Sequence, residues 1–243
     1  SVRGASECLV VHVQGQPASD GRTVLLVFIH GDNSGGGPSD PYIERGARFA
    51  GPGTVVVTLI RPGYFDRQGN TSTGVSHRFT GDGYPPEVVD AVGGALTRLR
   101  QLYGAQRLVV AGVSGGAAIT GVLLGRAPGL IDMAVLSGCP CDVQHWRELR
   151  GSGNWRRSLS PHRFVAQVPH RTQVRVVTGE LDTNTPPVLG QDYARALQQA
   201  GVADAQFVLA VGANHPQAGR GPVFLQTVDA FVQQAHAQLS AKG

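Results

Sequence analysis

The feature that most constrains this chain is a rhythm: short, continuous apolar runs, mostly β-branched, separated by stretches with helical spacing. The runs are Val24-Leu-Leu-Val-Phe-Ile29, Thr54-Val-Val-Val-Thr-Leu-Ile60, Arg107-Leu-Val-Val-Ala-Gly112, Ile131 to Leu136, Gln173 to Thr178 and Gln206 to Val211. Between them, Glu87 to Leu102 carries Val88, Val89, Val92, Leu96 and Leu99 on one helical face. A small-residue helix is expected from Gly116 to about Leu124. Two more are expected at Gln191 to Ala200, stopped by Gly201, and at Phe224 to Leu239. Strands apolar at every position are buried on both faces, so the pattern predicts a mostly parallel sheet with helices on both sides, an α/β fold.

The remaining segments fit around that sheet. Cys8 to Val13 reads as an opening strand at an edge, Tyr42 to Ala50 as a short helix, and Phe65 to Pro86 as a polar loop without periodicity. No repeat or linker interrupts residues 1–243, so one domain is expected. Its only substantial insertion, about Cys139 to His170, is a small cap expected between the sixth and seventh strands. Hydrophobic residues make up 41% of the chain and charged residues 16%, enough apolar material for a sizeable core and against wholesale disorder. No run of about 18 apolar residues occurs, so no membrane span is expected.

The formal charge is +4, and all the basic residues but Lys242 are Arg. The charge is uneven: Arg147 to Arg175 holds seven Arg against one Glu, a local +6, leaving −2 for the rest. No zinc spacing, RNA-binding aromatic motif or basic heptad helix accompanies this segment, so nucleic acid is not an expected partner. The segment is expected either to overhang a pocket and favour acidic or carboxylate-bearing substrates, or to be a solvated basic face. Cys8, Cys139 and Cys141 match no metal pattern, and an odd count leaves at least one thiol unpaired. Cys139 and Cys141 read equally as small buried thiols or as partners of a disulfide with Cys8. The chain starts at Ser1; localisation stays open, with a secreted or periplasmic site slightly favoured over the cytoplasm.

Chemistry concentrates where strands end. Gly112-Val-Ser-Gly-Gly116 fits Gly-x-Ser-x-Gly directly after a β-branched strand and before a helix of small residues. A serine on so sharp a turn needs glycine neighbours, because backbones must pass closely. The helix N-terminus behind it favours developing negative charge. A phosphate loop at this place would want Lys, which is absent. A serine nucleophile needs a base and an acid to orient that base. His215 lies in Gly212-Ala-Asn-His-Pro216 and Asp182 in Gly179-Glu-Leu-Asp-Thr-Asn-Thr-Pro-Pro187, each just after a strand. Both therefore reach the carboxyl edge of the sheet, where Ser114 also lies. Glu180 and Asp142 are the fallback acids.

For the oxyanion hole, one backbone N–H is expected from Gly115, and the other from Asp32, with Asn33 next. The Asp32 carboxylate is expected to turn away. Tyr64, His145 and Trp146 follow strands at the same edge and are candidate pocket-lining residues. His12, His77, His162, His170 and His236 show no ligand spacing, and no metal or organic cofactor is implied.

His30-Gly-Asp32, Gly112-Val-Ser-Gly-Gly116, Gly179-Glu-Leu-Asp182 and Asn214-His215, in that order from about Val24 to Ala235, resemble the oxyanion loop, elbow, acid loop and histidine loop of α/β-hydrolases. Ser160-Pro161, Gly179 to Pro187, and the Tyr193 helix ending at Gly201 are more specifically similar to the catalytic domain of prolyl-oligopeptidase-type enzymes and their esterase relatives. Arg61-Pro-Gly-Tyr64 resembles small esterase-like members. The resemblance implies a Ser114–His215–Asp182 serine hydrolase without cofactor, acting on a small ester or peptide. In larger relatives a second domain helps select peptides, and 243 residues leave no room for one, so esters are expected ahead of peptides and thioesters. The competing reading from another class is a catalytically silent binding protein on a hydrolase scaffold.

Overall fold

The computed structural model describes residues 1–33, 35–76 and 81–241. In chain order the strands are β1 (Val2–Gly4), β2 (Glu7–Leu9), β3 (Val11–Gly15), β4 (Val24–Ile29), β5 (Thr54–Leu59), β6 (Arg107–Val113), β7 (Met133–Ser137), β8 (Gln173–Gly179) and β9 (Ala205–Ala210). The helices are α1 (Ile43–Gly46), α2 (Pro86–Leu102), α3 (Gly115–Arg126), α4 (Val143–Leu149), α5 (Pro187–Gln199), α6 (His215–Ala218) and α7 (Pro222–Ser240). Seven strands form one sheet in the order β3-β5-β4-β6-β7-β8-β9. Only β3 runs antiparallel to its neighbour.

Alternation along the strands feeds two apolar layers. Leu25, Val27 and Ile29 of β4 join Leu108 and Val110 of β6 in a core shared with α2, α3 and α5. Val24, Leu26 and Phe28 point the other way, toward Val109 and Ala111 of β6, Tyr42, Phe49 and α7. Phe28 stacks there on Tyr42, with ring centroids 5.3 Å apart and planes 1° from parallel. Every residue of β4, β5 and β7 is buried, which is why these strands read as unbroken apolar runs.

Three local expectations need correction. Cys8 to Val13 is two strands rather than one. At Val10 the amide donates to Ser72 Oγ (2.9 Å) and the carbonyl accepts from Ile60 N–H (3.0 Å), so the chain leaves the β1–β2 hairpin there and joins the sheet edge. Tyr42 to Ala50 is one α-helical turn followed by a 3₁₀ turn at Ala47–Phe49. The third concerns the cysteines. Cys139 and Cys141 are bonded to each other across Pro140, while Cys8 is free and exposed, so the residues nearest in sequence pair and Cys8 stays on the far hairpin.

From β4 the chain passes to β5 on one side, then returns through α2 to β6 on the other. The connections leaving β4 and β6 therefore diverge and open a crevice at their carboxyl ends, the place where such sheets bind ligands. The insertion follows β7, the fifth strand of the large sheet in chain order, and so lies between the fifth and sixth strands rather than the sixth and seventh as expected. It consists of the disulfide loop, α4 and a 3₁₀ helix at Pro161–Gln167. Among the described residues no helix is long and apolar enough to cross a membrane.

Candidate active site

Ser114 sits between β6 and α3 with φ 53° and ψ −118°, a left-handed conformation uncommon for a side-chain-bearing residue. Its neighbours explain how the turn is tolerated. A methyl group on Gly112 would lie 2.6 Å from the Gly116 carbonyl oxygen, and one on Gly116 would lie 2.2 Å from the Ile29 carbonyl oxygen. The elbow thus presses on the loop after β4, and a methyl on Gly31 would fall 2.9 Å from Ser114 Cβ. The Ser114 amide donates to the Ser137 carbonyl at the end of β7 (2.7 Å), tying the elbow to the next strand.

The loops after β8 and β9 bring the acid and the histidine together. His215 Nδ1 lies 2.7 Å from Asp182 Oδ2, and Thr185 Oγ1 also donates to that oxygen (2.9 Å). The other carboxylate oxygen accepts the backbone N–H groups of Asn184 (2.9 Å) and Thr185 (2.8 Å). Burial pushes the Asp182 carboxyl upward, but the hydrogen bonds from His215 and Thr185, with the His215 charge, hold it below the usual carboxylate range. Ionised Asp182 accepts from Nδ1–H, which leaves the Nε2 lone pair outward. That nitrogen lies 3.2 Å from the Asn184 side-chain Nδ2. Asn184 Oδ1 is taken by Arg150 (2.5 Å), which fixes the side-chain amide's orientation, and the Asn184 backbone carbonyl accepts from Trp146 Nε1–H (2.7 Å).

Ser114 and His215 both line two adjoining cavities, one of about 320 Å³ toward α4 and one of about 200 Å³ toward the loop after β4. Of the fallback acids, Glu180 accepts from Gly212 N–H (2.8 Å) and Asp142 caps α4 by accepting from His145 N–H (3.2 Å), so neither holds His215. Of the two residues expected to form the oxyanion hole, Asp32 does not turn its side chain away but sets it against Gly115. A methyl on Gly115 would lie 2.3 Å from Asp32 Oδ1. The carboxylate is drawn in because Arg61 holds Oδ1 (2.7 Å) and the Tyr84 hydroxyl donates to Oδ2 (2.6 Å). Burial together with the Asp32 charge keeps the Tyr84 hydroxyl well above its ordinary pKa, hence a donor.

Arg61 is fully buried; it opens the Arg61-Pro-Gly-Tyr64 segment that resembles small esterases, but the sequence assigns it no role at this site. Its guanidinium lies 5.1 Å from the Tyr64 ring centroid and 5.9 Å from that of Tyr84. Its backbone N–H donates to His30 Nε2 (2.9 Å), leaving Nδ1 to donate to the Gly31 carbonyl (2.8 Å). His30 is thereby fixed as a neutral imidazole. Burial and the Arg61 charge push its pKa down to about 3, against the opposing bond to Gly31. Tyr64 consequently is not a pocket residue: it is 1% exposed, wedged between His30 and Arg61, and lines neither cavity. His145 lies on the first turn of α4 and lines neither cavity, whereas Trp146 lines the larger one with Trp155. His77 lies outside the described residues. Among the described residues no three His, Cys, Asp or Glu side chains cluster as metal ligands.

Several solved proteins share this fold. Est1E from Butyrivibrio proteoclasticus, solved with ferulic acid, superposes with a TM-score of 0.73 at 13% identity over 97% of this chain and 98% of that one. Est2, a thermophilic esterase from the planctomycete Thermogutta terrifontis, gives 0.66 at 20% identity over 93% and 89%. A puromycin-hydrolysing peptidase of Mycobacterium tuberculosis gives 0.70 at 18% identity over 98% of this chain but 39% of its own length. These likenesses concern the fold. No curated protein sequence matches the chain. Residues 80–238, which contain the elbow, the acid loop and the histidine loop, match the prolyl oligopeptidase family. The chain belongs to that family of serine hydrolases.

Proposed function

We propose that this hydrolase cleaves carboxylic esters through Ser114, His215 and Asp182. The observation that carries the reading is the Asp182–His215 hydrogen bond at 2.7 Å, facing the same two cavities as the strained serine. His215 Nε2 takes the Ser114 proton as Oγ attacks the ester carbonyl, which requires the Asn184 amide to yield its place. The tetrahedral oxyanion is held by the N–H groups of Asp32 and Gly115. Collapse expels the alcohol, protonated by His215. Water then attacks the acyl-enzyme with His215 again as base, releasing the acid.

Ionised Asp32 beside that oxyanion would oppose it, and Arg61 offsets the charge at 2.7 Å. The preference for esters over peptides rests on a fold-level analogy to the esterases Est1E and Est2. Two modest cavities flanking Ser114 also suit the acyl and alcohol arms of a small ester.

A fluorophosphonate probe should label the parent protein and not Ser114→Ala, and labelling at another serine would sink the assignment. His215→Ala should lose several orders of magnitude in kcat, and Asp182→Asn about 10³–10⁴-fold. A side-by-side screen of 4-nitrophenyl esters against aminoacyl and dipeptidyl anilides ranks the bond type. Anilide cleavage within about tenfold of the best ester in kcat/KM would reverse the preference for esters.

A further inference from the structure

Seven arginines crowd residues 147–175, and the fold separates them. Arg157 pairs with Glu87, and Arg175 with Asp204 (2.7 Å). Arg147 and Arg150 instead line the cavity of about 320 Å³ beside Ser114 and His215. Among the described residues neither takes part in an ion pair with an acid. Asp32, on another wall of the same cavity, is already held by Arg61 and Tyr84.

Arg147 is fixed in place. Its Nε–H donates to the Gly153 carbonyl (2.9 Å), and its guanidinium lies 5.3 Å from the Trp146 ring and 4.9 Å from the Trp155 ring. The two indoles meet edge to face, 5.2 Å apart at 87°. Burial and the neighbouring Arg150 charge push the Arg147 pKa downward, as expected of two cations set together without a counter-charge. Arg150 spends one N–H on the amide oxygen of Asn184, a neutral acceptor and a weaker one than a carboxylate.

We propose that Arg147 and Arg150 seat a free carboxylate carried by one arm of the ester substrate, so that the natural substrate is an anionic ester such as a half-ester of a dicarboxylic acid or an ester of a hydroxy acid. The proposal rests on Ser114 being the nucleophile, because the seat is defined by its distance from the scissile bond. Two parallel N–H groups on each guanidinium suit a carboxylate, and the indole walls lower the local dielectric around Arg147, while Arg150 stands exposed at the rim. A carboxylate that draws Arg150 away also loosens the amide that now covers His215 Nε2, so the same contact that recognises the substrate uncovers the base.

Two substrate pairs test this, because either arm can carry the charge. Mono-4-nitrophenyl adipate is compared with its methyl ester, and 4-acetoxybenzoate with methyl 4-acetoxybenzoate. The anionic member of at least one pair should show kcat/KM higher by about tenfold or more. Arg147→Gln/Arg150→Gln should bring that ratio to about one, and Arg150→Glu should invert it. Equal kcat/KM within both pairs, or a preference that survives in the double variant, overturns the proposal. Calorimetric titration of Ser114→Ala with 4-acetoxybenzoate supplies a reading independent of turnover: Arg150→Glu should weaken binding by about tenfold or more. Arg150-dependent binding without turnover by the parent sinks the nucleophile assignment and leaves the seat standing. Turnover without charge preference does the reverse.

Discussion

At the scale of single residues, the unusual element is a fully buried arginine directly behind the expected oxyanion hole. Arg61 is held by one carboxylate, two aromatic faces and carbonyl oxygens of His30 and Gly83, and burial works against its charge. Replacing Asp32 by Asn keeps the shape of the loop and removes the counter-charge. A buried ion left alone costs about 3–5 kcal/mol, which in a chain of this size lowers Tm by roughly 6–15 °C. Asp32→Asn should show that loss by calorimetry, and adding Arg61→Met should restore part of it, because the double variant has no unpaired charge. If the double variant is less stable than Asp32→Asn, the pair is not what makes Asp32 matter.

At the scale of elements, the site is assembled by the segments that leave successive strands at one edge of the sheet. The elbow follows β6, the disulfide loop β7, the acid loop β8 and the histidine loop β9. Gly138, at the start of the disulfide loop, has φ 54°, and a methyl there would lie 2.8 Å from His215 Cε1 and 2.9 Å from Nδ1. Gly138→Ala should therefore push the imidazole off Asp182. Fluorophosphonate labelling and kcat should both fall by about 10² or more, while the sheet stays intact by circular dichroism. Unchanged labelling would show that the loop gives way instead.

Much of this arrangement is legible in the sequence, because each segment announces itself locally. Apolar runs mark strands, glycines mark the elbow, and Asp182 and His215 each follow a strand by a few residues. What stays hidden depends on chain segments that meet only after folding. Tyr64 leaves β5 at the correct edge, yet it points behind Arg61 rather than into a cavity, and no local spacing reports that turn. Arg61 and Tyr84 stand at opposite ends of the long connection from β5 to α2, and Asn184 in the loop after β8, and their roles exist only as contacts made after folding. The +6 segment is visible as composition, but which two of its arginines reach the cavity is a property of α4.

At the scale of the whole molecule, the buried polar groups of the site set how the fold responds to acid. His30 is held neutral in the folded state, with its pKa pushed down to about 3, whereas in the unfolded chain it titrates at about 6.5. The unfolded chain therefore binds a proton below about pH 6.5 that the folded protein refuses. Stability from this group is fully present above that pH and is lost progressively as pH falls toward 3. Asp182, whose pKa is also lowered, acts in the same direction, but only below the ordinary carboxylate range near pH 4. The two groups thus occupy different windows, and of a decline between pH 6.5 and 4.5 the larger part belongs to His30, beside a smaller one from His236, whose pKa burial also lowers. Urea unfolding should show the free energy falling there by up to about 1.4 kcal/mol per pH unit. His30→Gln retains hydrogen-bonding groups near Gly31 and Arg61 and has no titrating ring, so its slope in that window should be flatter whatever its absolute stability. Equal slopes for the parent and His30→Gln would show that the imidazole behind the elbow accepts a proton without unfolding the site.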